Sequence, residues 1–188
     1  MFVRLSLLAM AAAACASAAG CDSLSSIKLE NATITAAQVV APGAFSVPGG
    51  RAGKGPNPYQ NLPAFCRVQA TLTPTSDSDI KIEVWLPVSG WNNKHLAVGN
   101  GGWAGTITYT DLADGIAHGY ATSSTDTGHV GGSGSFALGH PEKLIDFAWR
   151  SEHEMTVKSK QIVQAMYGSA AKLSYWKGCS TGGRQAMK

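Results

Sequence analysis

Near its far end the sequence runs Leu173-Ser-Tyr-Trp-Lys-Gly-Cys-Ser-Thr-Gly-Gly-Arg-Gln185, an apolar and aromatic run that leads into a serine spaced between glycines, Gly178-x-Ser180-x-Gly182. No other stretch restricts the fold so strongly. The pattern reads as strand, sharp turn and helix, the arrangement called a nucleophile elbow. The serine of such a turn sits in a strained backbone conformation, and glycines two positions to either side keep Cβ atoms out of the adjoining elements. The turn lifts the Ser180 hydroxyl out of a sheet and points the next amide, that of Thr181, at a developing oxyanion. In a chain with 22 glycines the same letters also suit an ordinary surface turn.

A length of 188 residues allows one domain with a sizeable core. The chain is 44% hydrophobic and 14% charged, as expected of a soluble globular protein with a weakly charged surface. A net charge of +3 without any Lys/Arg-rich run sets nucleic-acid binding aside. Residues 1–20 carry Arg4, an apolar stretch from Leu5 to Ala14 and small residues ending in Ala16-Ser-Ala18, the three-part pattern of a secretory signal. They are too short and too weakly flanked for a membrane anchor. A lipoprotein reading with acylation at Cys21 is the rival, and it lacks the large aliphatic residue usual before the small pair. Export permits disulfides. With Cys15 removed in the signal, Cys21, Cys66 and Cys179 remain, so one thiol has no partner within the chain.

From residue 21 onward the pattern is α/β. Ile27 to Val40 predicts one or two short strands, and Ala41 to Pro63 predicts a loop or covering segment. Arg67 to Thr73 and Ile80 to Leu86 form an antiparallel pair, the second alternating like a strand with one buried face. His95 to Val98 is a short strand that enters Gly99-Asn-Gly-Gly-Trp-Ala-Gly105. Gly99-x-Gly101-x-x-Ala104, with Asp126 further on, fits a dinucleotide fingerprint. That fingerprint needs a helix at the glycines, and Thr106-Ile-Thr-Tyr-Thr110 is a poor first helical turn. The competing reading needs only a loop that offers a backbone N–H to an oxyanion, and Gly101 and Gly102 are placed in that role because they permit close backbone approach. Gly119 to Ser124 predicts another strand, with Asp126 after it as a turn-capping residue. Pro141 opens a helix whose stripe runs through Leu144, Phe147, Ala148, Met155, Ile162, Val163 and Met166 to about Tyr167, where Gly168 ends it. A strand then leads into the elbow, which makes a crossover in a parallel sheet.

Four stretches, Gly99 to Gly105, Ser124-Thr-Asp-Thr-Gly-His129, Phe147 to Val157 and Gly178-Cys-Ser-Thr-Gly-Gly-Arg-Gln185, together resemble the tannase and feruloyl esterase family, which includes mono(hydroxyethyl) terephthalate hydrolases. The resemblance runs from about Cys21 to the last residue. It implies an α/β-hydrolase core, truncated just after the elbow, with the C-terminal strands and the lid domain absent from residues 21–188. It implies that Cys21 pairs with Cys66, closing a loop that stabilises the fold by about 3 to 4 kcal/mol. It also implies that Cys179 pairs with a cysteine beside the catalytic histidine, outside this chain, and that the loop around Asp126 and His129 supports the active-site side of the sheet.

In that fold the triad follows the order Ser, acid, His, and His95, His118, His129, His140 and His153 all precede Ser180. The expected activity is therefore that of a secreted serine esterase acting on small aromatic esters such as feruloyl, galloyl or terephthalate esters. Its catalytic residue here is Ser180 and its oxyanion donors are Thr181 and Gly101 or Gly102; the acid and the histidine lie beyond Lys188. No cofactor, metal site, nucleic acid or membrane partner is expected within these residues, and a calcium ion would belong to the lid. Residues 1–188 alone are expected to fold poorly and to be close to inactive. The alternative is a non-catalytic secreted domain of the same shape, or an inactive fragment.

Overall fold

The computed structural model describes residues 20–50 and 57–188. Residues 1–19, all but the last of those read as a secretory signal, and residues 51–56 of the covering loop lie outside the described residues. Six strands form one mixed sheet: β1 (Ala32–Val40), β2 (Phe65–Leu72), β3 (Ile80–Pro87), β4 (Lys94–Val98), β5 (Ala121–Thr125) and β6 (Leu173–Lys177). Their order is β1-β2-β3-β5-β4-β6. The first three strands and β5 pair antiparallel, whereas β5, β4 and β6 pair parallel. The expected antiparallel opening and parallel continuation are both present, with β4 lying between β5 and β6.

Helices cover both faces. On one side Met155, Ile162 and Val163 of α3 (Ser151–Tyr167) pack with Val68, Ile82 and Val84. On the other, Leu112, Ala113 and Ile116 of α1 (Tyr109–Ala117) pack on Phe65, Trp85 and Val98. Phe45, Tyr59 and Leu62 of the 41–63 segment join this second cluster, so that segment does cover the sheet. β3 therefore has two buried faces where its alternation predicted one. The polar residue responsible for the alternation, Glu83, is itself buried, and its carboxylate accepts from Arg67 Nε at 2.8 Å, Trp85 Nε1 at 2.8 Å and Tyr109 Oη at 3.0 Å. A buried charge with these donors is tolerated inside a central strand.

α1 carries no clear periodic signal in the sequence. Thr106 to Thr108 stay outside it, but Tyr109 and Thr110, part of the run read as a poor first helical turn, open the helix, with Thr108 as its N-cap. Its amphipathic stripe is short, and Gly115 lets it approach the sheet: a Cβ there would lie 2.3 Å from Thr122 Cγ2.

The helix opened by Pro141 continues to Tyr167 but is not uniform. α2 (Pro141–Ile145) and α3 are joined by one wide π turn, Asp146–Arg150, in which the Ser151 amide reaches back to the Asp146 carbonyl. The extra residue re-phases the stripe. Leu144 is consequently exposed, and Phe147 stacks on Trp103 with ring centres 4.6 Å apart instead of joining the sheet core.

Candidate active site

The strand β6 ends at Lys177 and the helix α4 (Thr181–Gln185) begins four residues later, so the chain must reverse within Gly178 to Ser180. It does so through Ser180 at φ 56° and ψ −119°, a left-handed conformation rare for a side-chain-bearing residue. Ser180 is exposed, and its side chain caps no helical amide. A Cβ at Gly178 would stand 2.4 Å from the Gly182 carbonyl oxygen, and one at Gly182 would stand 2.8 Å from that of Asn100. Both glycines are thus required by packing.

The register between β4 and β6 runs Lys94 to Leu173 through Val98 to Lys177, which brings both strands out at the same end of the sheet. The Gly99 amide extends that ladder to the Lys177 carbonyl at 2.9 Å. The glycine that permits close approach between the two loops is Gly99, whose Cβ would lie 2.5 Å from Gln185 Oε1 and 2.9 Å from Gly182 Cα. Gly101 and Gly102, expected to serve that purpose, face open space, and Gly102 is needed for its φ of +55°. Among the described residues, neither their amides nor that of Thr181 donates a hydrogen bond within the protein, whereas the Asn100 amide is already taken by Gln185 Oε1 at 2.9 Å. A cleft of about 600 Å³ opens between the Gly99–Gly101 stretch and Lys177–Cys179, bordered also by Thr108 and Asp111.

Behind the two loops lies a set of buried polar side chains that motif reading did not single out. Gln185 Nε2 donates to Glu152 Oε1 and sits 3.4 Å from Asn100 Oδ1. Glu152 Oε2 accepts from Ser151 Oγ at 3.0 Å. Asn100 Nδ2 donates to the carbonyls of Thr106 at 2.7 Å and Thr125 at 3.0 Å, closing the loop against the end of β5. Burial pushes the Glu152 carboxyl above its ordinary range, opposed by its hydrogen bonds and by Arg184. Distance in sequence hid this set, since its members come from three segments up to 85 residues apart.

The loop after β5 has a structural task. Asp126 Oδ1 accepts from the Lys81 amide at 2.9 Å and the Gly128 amide at 2.8 Å, so its carboxylate is occupied as a turn cap. Burial pushes it up to about 6 despite those bonds. With Gly99 to Ile107 forming a loop and Asp126 so engaged, the dinucleotide reading finds neither its helix nor its ribose ligand. His129 Nε2 donates to the Trp103 carbonyl at 2.8 Å and its ring stacks on Phe136 at 3.8 Å, which holds the Trp103 side of the loop.

Three other histidines are hydrogen-bonded to groups other than Ser180. Nε2 of the buried His95 meets Ser123 Oγ at 3.0 Å, His118 Nδ1 lies 2.7 Å from the Asp114 carbonyl, and His140 pairs with Asp77 at 2.9 Å. His153 stands beside Trp149. Cys21 and Cys66 are joined in a disulfide, and Cys179 is exposed and unbonded. Among the described residues no group of three or more His, Cys, Asp or Glu side chains is arranged to hold a metal ion, and no helix is long and apolar enough to cross a membrane.

A mixed sheet with helices on both faces, whose strand β6 leads into a turn at an exposed serine beside a glycine loop, defines an α/β-hydrolase-like protein. The sequence profile of the tannase and feruloyl esterase family matches residues 66–188, and the chain belongs to that family. It is 41% identical over 171 residues, 90% of this chain, to an uncharacterized esterase of Xanthomonas campestris. It is 40% identical over 124 residues, 66% of this chain, to a probable feruloyl esterase B-1 of Aspergillus fumigatus. The crystal structure of feruloyl esterase B from Aspergillus oryzae superposes with a TM-score of 0.78 at 35% identity over 88% of this chain. Tannin acyl hydrolase from Aspergillus niger shares the fold at a TM-score of 0.64 and 24% identity, over 87% of this chain. The chain spans 29% and 23% of the two sequence relatives, and 32% of each of the two structures.

Proposed function

We propose that this chain is the nucleophile-bearing part of a secreted serine carboxylic-ester hydrolase that acts on aromatic acid esters, with an α/β-hydrolase core completed by strands and a lid outside residues 21–188. The observation that carries the reading is the exposed left-handed Ser180, locked by Gly178 and Gly182 against the Gly99–Gly102 loop. In this reading the Ser180 hydroxyl attacks the ester carbonyl while the amides of Thr181 and of Gly101 or Gly102 bind the developing oxyanion. Loss of one such donor raises the barrier by about 3 kcal/mol. Water then hydrolyses the acyl-enzyme. All five histidines of this chain precede Ser180, against the order Ser, acid, His, and four of them are hydrogen-bonded to other groups, so the general base and its carboxylate partner are assigned to residues after Lys188, with Cys179 bonded to a cysteine beside that histidine. The feruloyl esterase relatives support the ester class, and the Cys21–Cys66 disulfide suits an oxidising compartment.

The test is turnover of p-nitrophenyl and hydroxycinnamoyl esters by the full-length protein. Activity abolished in Ser180→Ala, with the fold retained, is the expected result. Full activity in that variant overturns the reading.

A further inference from the structure

From the buried set that joins Gln185, Glu152 and Asn100 we infer that Gln185 is a positioning residue for the oxyanion site, fixing the Gly101–Gly102 donors relative to the Thr181 donor. The inference rests on the proposed esterase reading and extends it to a side chain that touches no substrate. Thr181 and Gln185 are the first and last residues of α4, so the helix that presents one donor also carries the clamp. Gln185 Oε1 takes the Asn100 amide, the residue immediately before the other donors. The clamp therefore decides which amides of the loop remain for a ligand: that of Asn100 is removed, and those of Gly101 and Gly102 are left.

The geometry leaves little slack. Gln185 is 2% exposed, Glu152 2% and Asn100 5%, so solvent does not compete for these bonds. Each atom also has a defined role. An amide is the one side-chain group that can accept from Asn100 N–H at one end and donate to Glu152 and Asn100 Oδ1 at the other. Glu152 Oε1 accepts from Gln185, and the single hydroxyl hydrogen of Ser151 is shared between Glu152 Oε2 at 3.0 Å and the Asp146 carbonyl of the π turn at 2.8 Å. The wide turn that looks like an interruption of the long helix thus begins the chain of hydrogen bonds that ends at the oxyanion loop. Trp176 Nε1, donating to the Gly182 carbonyl at 2.7 Å, adds a second tie from β6 to α4.

This arrangement makes a specific demand on substitution. Glu152→Gln keeps an acceptor for Gln185 and gains a donor that Ser151 Oγ can accept, so it preserves the set. Gln185→Glu still accepts the Asn100 amide but sets a carboxylate against Glu152. Combining the two restores one donor and one acceptor at that contact, with the polarity reversed.

The experiment measures kcat, KM and the affinity of a boronic-acid transition-state analogue for the full-length protein and these variants, per active site titrated with a fluorophosphonate. Gln185→Glu is expected to lower kcat and analogue affinity together by about ten- to a hundredfold with KM within about twofold, because a misplaced donor is felt in the transition state. Glu152→Gln is expected to stay near wild type, and the double variant to recover most of the loss in Gln185→Glu. If Gln185→Glu fails to fold, the double variant and Gln185→Asn, which keeps the amide but shortens its reach, carry the same test. Unchanged kcat per titrated site in the Gln185 variants, or loss of thermal stability alone, overturns the positioning role. Absence of any Ser180-dependent turnover in the wild-type protein overturns the esterase reading instead, so the two failures are distinguishable.

Discussion

Ser180 adopts φ 56° because the residues around it leave no alternative path from β6 into α4, and that constraint is strict at Gly178. Gly178→Ala would place a methyl 2.4 Å from a backbone oxygen that cannot move without α4. It is expected to destabilise the protein by about 1 to 3 kcal/mol, read by urea denaturation, and to abolish Ser180-dependent turnover. At Gly101 the same substitution meets open space and is expected to leave stability within about 0.5 kcal/mol of wild type. Asp126 supplies a prediction of opposite sign. Its carboxyl is pushed up from 3.8 to about 6 by burial, so between these pH values the folded chain holds a proton that the unfolded chain has released, and stability falls as pH rises through that window. Asp126→Asn keeps the Oδ1 acceptor and removes the buried charge. It is expected to be more stable than wild type at pH 7 by about 2 to 3 kcal/mol, an advantage that vanishes towards pH 4 in denaturation profiles. The capping role of Asp126 was legible from its place in Thr-Asp-Thr-Gly. The placement of Gly101 and Gly102 as the close-contact glycines was not, since the pattern Gly-Asn-Gly-Gly does not say which glycine faces the elbow.

At the scale of elements, the chain from Cys21 to β1 is held to the sheet by the Cys21–Cys66 disulfide, which spans 45 residues and attaches the N-terminal turn to β2. Replacing both cysteines by alanine is expected to lower stability by about 4 kcal/mol, seen as a reduced denaturation midpoint that reductant no longer shifts. The strands were legible because β-branched runs bounded by turn residues leave a clear signal, as at Ile80 to Leu86. What that alternation misjudged was burial: Glu83 reads as a solvent-facing position until Arg67, Trp85 and Tyr109 are seen around it. α1 escaped notice because its apolar stripe amounts to Leu112, Ala113 and Ile116 with a glycine between them, and its stability comes from Trp85 and Val98 beneath it. The π turn at Asp146–Arg150 has no local sequence signature, and it is the reason Phe147 meets Trp103.

For the whole molecule, two buried groups, one on β4 and one in the loop after β5, contribute to acid stability with opposite sign. Burial, with Lys160 nearby, pushes His95 down from 6.5 to about 4, so as pH falls across that range the unfolded chain takes up a proton that the folded chain refuses. Stability then falls with falling pH, opposing the gain from Asp126 over nearly the same window. Wild-type stability is therefore expected to be nearly flat in these two contributions between pH 6.5 and 4, and Asp126→Asn to expose the His95 slope. The sequence alone determined the class of the fold, the elbow and the identity of the candidate nucleophile, because those depend on residues close together in the chain, where backbone sterics act. The tertiary structure alone decided that Gly99 closes the contact with the elbow and that Gln185 and Glu152 brace Asn100. Those outcomes depend on which distant segments the sheet order brings together, as it does β4 and β6, which are separated by some 75 residues in the chain.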